Sequence, residues 1–191
     1  MSIYNQNDEF VEIDENFING YLTPIALLRD YTTYEVGFNY YFKRLENHTS
    51  IKSSISEEFR ASFKRFCNHK GRRYKSDEEV ERLIETGLEI DEIKDWETSI
   101  VNDIDSWTGT VVTNNIKEEN LMNAWNDKPN LLSLDLIEIL KVFFRSKEMK
   151  AFKYKGEILN DLNYHWGGLH WLDILFSNHE ENYLLHFDLS D

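Results

Sequence analysis

Two short runs near the end of the chain, HWLDILF (170–176) and YLLHFDL (183–189), limit the possible folds more than any other feature. Leu172, Ile174 and Phe176 fall on one face of the first run. Tyr183, Leu185, Phe187 and Leu189 fall on one face of the second, with the two-residue period of half-buried strands. The intervening SNHEEN is turn chemistry, so the runs read as an antiparallel hairpin near 170–189. A lone hairpin is marginal in water and needs an apolar surface to lie on. The chain can supply one, because 41% of its 191 residues are hydrophobic and 14% aromatic, with only two prolines and eight glycines. Such a composition is globular rather than disordered.

Upstream of the hairpin the dominant period is helical. Thr23 and Pro24 read as the N-cap and first residue of a helix over roughly 24–47, with Ile25, Leu28, Tyr31, Tyr34, Phe38, Phe42 and Leu45 on its apolar side. A second helix starts near Ser54 or Ser56, carries Phe59, Phe63 and Phe66, and stops before HKGRR, where Gly71 supplies backbone freedom. Ser76 and Glu79 have capping-box spacing, with Val80, Leu83 and Ile84 behind them and Gly87 as the stop. Ile90, Ile93, Ile100, Val101 and Ile104 mark one side of a further helix, ended by a turn at Trp107 to Gly109. Leu121, Met122 and Trp125 form a short amphipathic stretch that ends at Pro129. LLSLDLIEILKVFF (131–144) is apolar nearly all round, as a central buried helix is. AFKYKGEIL and LNYHW offer one or two more strands, with Gly167 and Gly168 as a reversal. The expectation is an α+β domain spanning 1–191. It is mostly helical over about 20–149 and strand-rich over about 150–191, with a small C-terminal antiparallel sheet.

The N-terminal MSIYNQNDEFVEIDENF has no Lys or Arg and no apolar core, so it resembles no targeting peptide and the expected compartment is the cytoplasm. No uncharged stretch approaches the roughly 18–20 apolar residues of a membrane span. Cys67 is the sole cysteine and reads as a packed thiol beside Lys64, Arg65 and Lys70. The nucleophile elbow, the P-loop, the dinucleotide fingerprint and the HExxH motif are all missing from the sequence. Asp135 and Glu138 stand at helical spacing and read as the polar edge of a buried helix.

The densest histidine region, NYHWGGLHWLD, holds His165, His170 and Asp173, with His179 and His186 beyond. Imidazole and carboxylate are metal ligands, which makes a metal-assisted hydrolase the alternative reading. Their spacing matches no ligand signature, and alternation sets His170 with Leu172 but His186 with Leu184 and Asp188. The expectation is therefore no metal, no cofactor and no catalysis.

Charge is laid out in blocks. Residues 60–75 carry seven Lys or Arg and no acid, whereas 76–105 carry twelve acids against Arg82 and Lys94. From Gly156 onward there are seven acids and no Lys or Arg, and the net charge of the chain is −14. A field of that sign repels nucleic acid and anionic membranes and speeds encounter with basic proteins. Five tryptophans and ten tyrosines add residue types that favour interface hot spots. Glu85, Glu89, Glu92 and Asp95, off or at the margin of the isoleucine stripe, are the expected partner-binding residues. In the extreme case, carboxylates on the helix through the 90s would imitate a line of phosphates.

DEEVERLIETGLEIDEIKDWE and HWGGLHWLDILFSNHEENYLLHFDLSD together cover about a third of the chain. In this acidic, aromatic-rich and motif-free character the sequence resembles the bacterial immunity proteins of contact-dependent and other polymorphic toxin systems. The resemblance implies stoichiometric occlusion of a basic, nuclease-like toxin domain, without cofactor or turnover, and implies no particular fold. A regulatory protein of a phage or mobile element is a further alternative.

Overall fold

In chain order the elements are α1 (Glu15–Thr32), β1 (Gly37–Leu45), α2 (Ile51–Lys70), α3 (Asp77–Gly87), β2 (Glu89–Ile93), α4 (Trp96–Ser106), α5 (Asn130–Phe143), β3 (Lys150–Lys155), β4 (Gly168–Ser177) and β5 (Asn182–Ser190). They come from a computed structural model, which describes residues 13–32, 37–46, 50–71, 73, 76–106, 130–145, 147–156, 168–178 and 180–190. The expected turn at 107–109, the amphipathic stretch with Leu121, Met122 and Trp125, the LNYHW segment and Gly167 lie outside the described residues.

The class is α+β, as the sequence predicts, and β4 and β5 form the hairpin. Leu172 faces Phe187, Ile174 faces Leu185 and Phe176 faces Tyr183. The reversal is closed by Asn178, whose Oδ1 accepts the backbone N–H groups of Glu180 and Glu181, both at 2.8 Å. The hairpin is not a small terminal sheet, however. It is the middle of a five-stranded antiparallel sheet of order β1-β5-β4-β3-β2. Two of those strands come from the part of the chain that reads as helical.

The expected helix over 24–47 is thus replaced by α1 and β1. Residues spaced by four satisfy a helical stripe, but four is also a multiple of two, so Phe38, Tyr40 and Phe42 serve equally as one face of a strand. Aromatic density favours the strand, and Gly37 to Leu45 pair with Ser190 to Asn182 along their whole length. Pro24 lies inside α1 rather than at its start. A second correction concerns Ile90 and Ile93, which lie on strand β2 and, being three apart, pack on its opposite faces, and helix α4 begins only at Trp96. The local stop signals are met. Ser50 and Ser76 cap α2 and α3 by accepting from Ser53 N and Glu79 N, and Gly71 ends α2 at φ 61°, in the left-handed region.

Both faces of the sheet are covered. One face presents Phe38, Tyr40, Phe42, Ala151, Ile174, Phe176, Leu185 and Phe187 to α1, α4 and α5. On the other, Leu45, Tyr154, Leu175 and Leu184 meet Ile55, Phe59, Phe63 and Cys67 of α2 and Val80 and Ile84 of α3. Burying side chains of this size contributes roughly 1.5–3 kcal/mol each before entropy is counted. Helix α5 buries Leu136, Ile137, Ile139 and Leu140 but leaves Leu134 and Val142 about half exposed, so it is not buried all round.

The β1 edge of the sheet is sealed by side chains of α1. Asn19 acts as a surrogate strand: its Nδ2 donates to Phe42 O and its Oδ1 accepts Phe42 N–H, both at 2.7 Å. One turn earlier, Glu15 Oε2 accepts Arg44 N–H at 3.0 Å. Four residues of helix rise about 6 Å, close to the advance of two strand residues, so the two polar rows stay in step. Such a cap removes one template for edge-to-edge association.

Candidate functional site

The four acids expected to bind a partner fall on three different elements. Glu85 projects from the last turns of α3, Glu89 and Glu92 lie on β2, and Asp95 occupies the turn before α4 with φ 49°. They do not form one helical row, because a strand interrupts it. Glu92 pairs with Lys150 at 3.2 Å, and Lys155 contacts both Glu89 (3.6 Å) and Asp91 (2.7 Å) across the β2–β3 ladder. Hydrogen bonding to Asp91, then the charges of Asp91 and Glu89, hold Lys155 protonated above its ordinary range. The acids of β2 therefore share their charge with the lysines of β3.

Helix α3 keeps more of its own. Asp77 is tied to Lys64 (2.8 Å) and Glu81 to Arg60 (3.5 Å), both on α2, whereas Glu78, Glu79 and Glu85 are exposed and carry no ion pair among the described residues. Its own backbone N–H and the Ser76 hydroxyl hold the Glu78 carboxyl below its ordinary value, so it stays ionised.

A second constellation is buried beneath α2. Tyr41 of β1 faces His186 of β5, and His186 faces Asp173 of β4. The His186 Nδ1 lies 2.5 Å from Asp173 Oδ1, and the Tyr154 hydroxyl of β3 donates to Asp173 Oδ2. The row is thus Tyr41, His186, Asp173, Tyr154, one side chain from each of four adjacent strands. Tyr41 stacks on the imidazole at a centroid distance of 4.5 Å and 27°, and Trp171 stacks on Tyr154 at 5.8 Å and 25°. Asp173 and His186 are only 3% and 5% exposed. Burial alone would drive the imidazole towards neutrality. The Asp173 carboxylate outweighs it, with its charge and its hydrogen bond, and the His186 pKa stands above its ordinary 6.5. Burial, with the nearby Glu58 and Asp173 carboxylates, pushes the Tyr41 phenol well above its usual range, so it is neutral throughout ordinary pH.

At the Tyr41 end the row reaches a groove of about 560 Å³ between α1 and α2, bordered by Asn39, Lys43, Glu58, Arg65, His186 and Asp188 among others. Lys43 and Glu58 form an ion pair from β1 to α2, with Arg65 Nη2 at 3.9 Å from the same carboxylate and 3.2 Å from Ser62 Oγ. Chemically the arrangement can hold or release one proton inside the sheet beside a water-accessible cleft.

Asp173 is therefore engaged by His186 and Tyr154. His165, His179 and the side chain of His170 lie outside the described residues, within which no group of three or more His, Cys, Asp or Glu is placed to hold a metal. No described helix is long and apolar enough to cross a membrane. Alternation sets His186 with Leu184 and Asp188, which the structure bears out. The pairing with Asp173 was missed, although the strand-end partners Ser177 and Asn182 would have given it, since counting back equally along both strands brings Asp173 opposite His186. Tyr41 and Glu58 carried no local signal.

No family model and no curated protein matches the chain. Among solved structures it is similar to a crystal structure of citrus MAF1, at 13% identity and TM-score 0.42, over 89% of this chain and 98% of that one. A likeness at that level carries no argument about fold or function.

Proposed function

We propose that this is an acidic binding protein that neutralises a basic protein partner by occlusion, as the immunity proteins of toxin systems do. The observation that supports this reading most is the outer side of α3, where Glu78, Glu79 and Glu85 are exposed without ion pairs among the described residues while Asp77 and Glu81 are spent on α2. Asp95 extends the same charge beyond β2. Glu89 and Glu92, being shared with β3 lysines, add long-range field more than contact. Carboxylates held at a rim steer encounter, and a net charge of −14 makes that steering strong at low salt.

The test is co-expression with the product of the adjacent reading frame in the native genome. A basic toxin domain whose toxicity this protein relieves, with a 1:1 complex on purification, is the expected result. A neighbour that encodes no toxin, or a toxin that remains lethal, would overturn the reading. In the complex, reversing Glu78, Glu79 and Glu85 to Lys should slow association by about tenfold or more at low salt and leave dissociation nearly unchanged.

A further inference from the structure

On the α2 face the Tyr41–His186–Asp173–Tyr154 row lies between two others: Lys43, Leu184 and Leu175 on one side, and Asn39, Asp188 and Trp171 on the other. Its groups connect to α2 in sequence. Asp173 holds the imidazole, Tyr41 stacks on that ring, Lys43 lies 5.4 Å from the centroid of the Tyr41 ring, and Lys43 pairs with Glu58 of α2. The first turn of α2, one turn before Glu58, is anchored differently. Asn182 Nδ2 donates to Ser54 Oγ at 3.0 Å, and Ser177 Oγ lies 2.5 Å from Asn182 Oδ1, a neutral set that does not titrate.

We propose that the Asp173–His186 pair is a proton-operated latch, which holds the middle of α2 against β1 and β5 while His186 is cationic and loosens it when the charge is lost. With the proton in place, the charged groups around the ring among the described residues are His186, Lys43 and Arg65 against Asp173, Asp188 and Glu58, a balanced set. Tyr41 on β1 stays neutral, Tyr154 on β3 donates to Asp173, and α1 presents Asn19 and Thr23 to the groove. On release, the proton leaves the ring nitrogen that Asp173 does not hold and passes to water in the groove. Nδ1–H still donates to Asp173, but three carboxylates then face two cations, one of the carboxylates in the dry interior of the sheet. A buried charge without its counter-charge is costly, and moving α2 outward to admit water relieves it.

The sign follows from linkage. A histidine whose folded pKa is raised contributes stability that is complete below pH 6.5, and it is lost as the pH rises through the folded value. The decisive experiment is NMR on the intact chain between pH 5.5 and 9.5, following the His186 ring carbons together with backbone amide exchange. The expected result is a His186 midpoint above 6.5, with protection near Glu58 and Tyr41 falling at least tenfold on the same midpoint while amides near Ser54 keep theirs. In parallel the melting temperature should fall by about 3–6 °C more in the wild type than in His186→Gln over that range. If His186→Gln does not fold, the wild-type titration and exchange decide alone. A ring that titrates at or below 6.5, or protection near Glu58 that ignores its titration, would overturn the proposal.

Discussion

The two faces of the sheet use the same strands and both bury apolar side chains, but they differ in what the strands place at their centre. On the α1, α4 and α5 side, Phe42, Phe176, Phe144, Tyr183 and Trp96 form a contiguous aromatic cluster with centroid distances of 5.0–6.5 Å. Edge-to-face and stacked pairs of this sort add roughly 0.5–1.5 kcal/mol each beyond the area they bury. On the α2 side the corresponding depth is occupied by an acid, an imidazole and two phenols. Buried ion pairs are seldom net stabilisers against apolar residues of like volume, whereas breaking one partner alone is expensive. The comparison teaches that both faces supply apolar burial, and that the polar row is the part of the α2 face which such burial does not account for.

Truncation after Asn160 breaks that comparison most completely, since it removes β4 and β5 and leaves β1 without a strand partner. No cooperative thermal transition should remain, and a retained transition would mean that the helices fold without the sheet. Next in size is Phe176→Ala, on the apolar face and fully buried, which should cost about 3–5 kcal/mol in urea unfolding. Smaller again is Asn19→Ala, which exposes the backbone groups of Phe42 at the β1 edge. A loss of about 1–3 kcal/mol with faster aggregation is expected, and a neutral result would show that water replaces the amide there. The smallest effect belongs to Glu89→Gln and Glu92→Gln, exposed pairs across the β2–β3 ladder whose removal should leave the urea midpoint unchanged within error.

How much of this was legible in the sequence depended on the period of each segment. The β4–β5 hairpin was readable because strict alternation and the SNHEEN turn agree, and serine and glycine marked both ends of α3 and the stop of α2, whose start lies at Ile51 behind the Ser50 cap and not at Ser54 or Ser56. Strands β1 and β2 were not readable. Phe38 and Phe42, like Ile90 and Ile93, satisfy helical spacing as well as they fill a sheet, and only pairing with β5 and β3 decides between the two. The error carried into the acidic site. Glu92 and Asp95 were read on the helix that follows the Gly87 stop, whereas the structure puts Glu89 and Glu92 on strand β2 and Asp95 in the turn before α4. Opposite partners such as Lys150 and Lys155 are separated from them by more than fifty residues. The buried row shows the same limit, since its members lie on four strands and only register brings them together.

The most direct measurement is a double-mutant cycle at pH 6 in which Asp173 and His186 are replaced by Leu singly and together, with stability read from urea denaturation. His186→Leu leaves the Asp173 carboxylate without its counter-charge and should lose about 3–5 kcal/mol, whereas Asp173→Leu, in which burial returns the imidazole to its neutral form, should lose less. The double variant should recover to within about 1 kcal/mol of the wild type or exceed it, because the neighbouring Leu184 and Leu175 show that the sheet accepts apolar residues at this depth. A double variant that loses the sum of the two singles would contradict the account, and would place the polar row among the elements that hold the fold together.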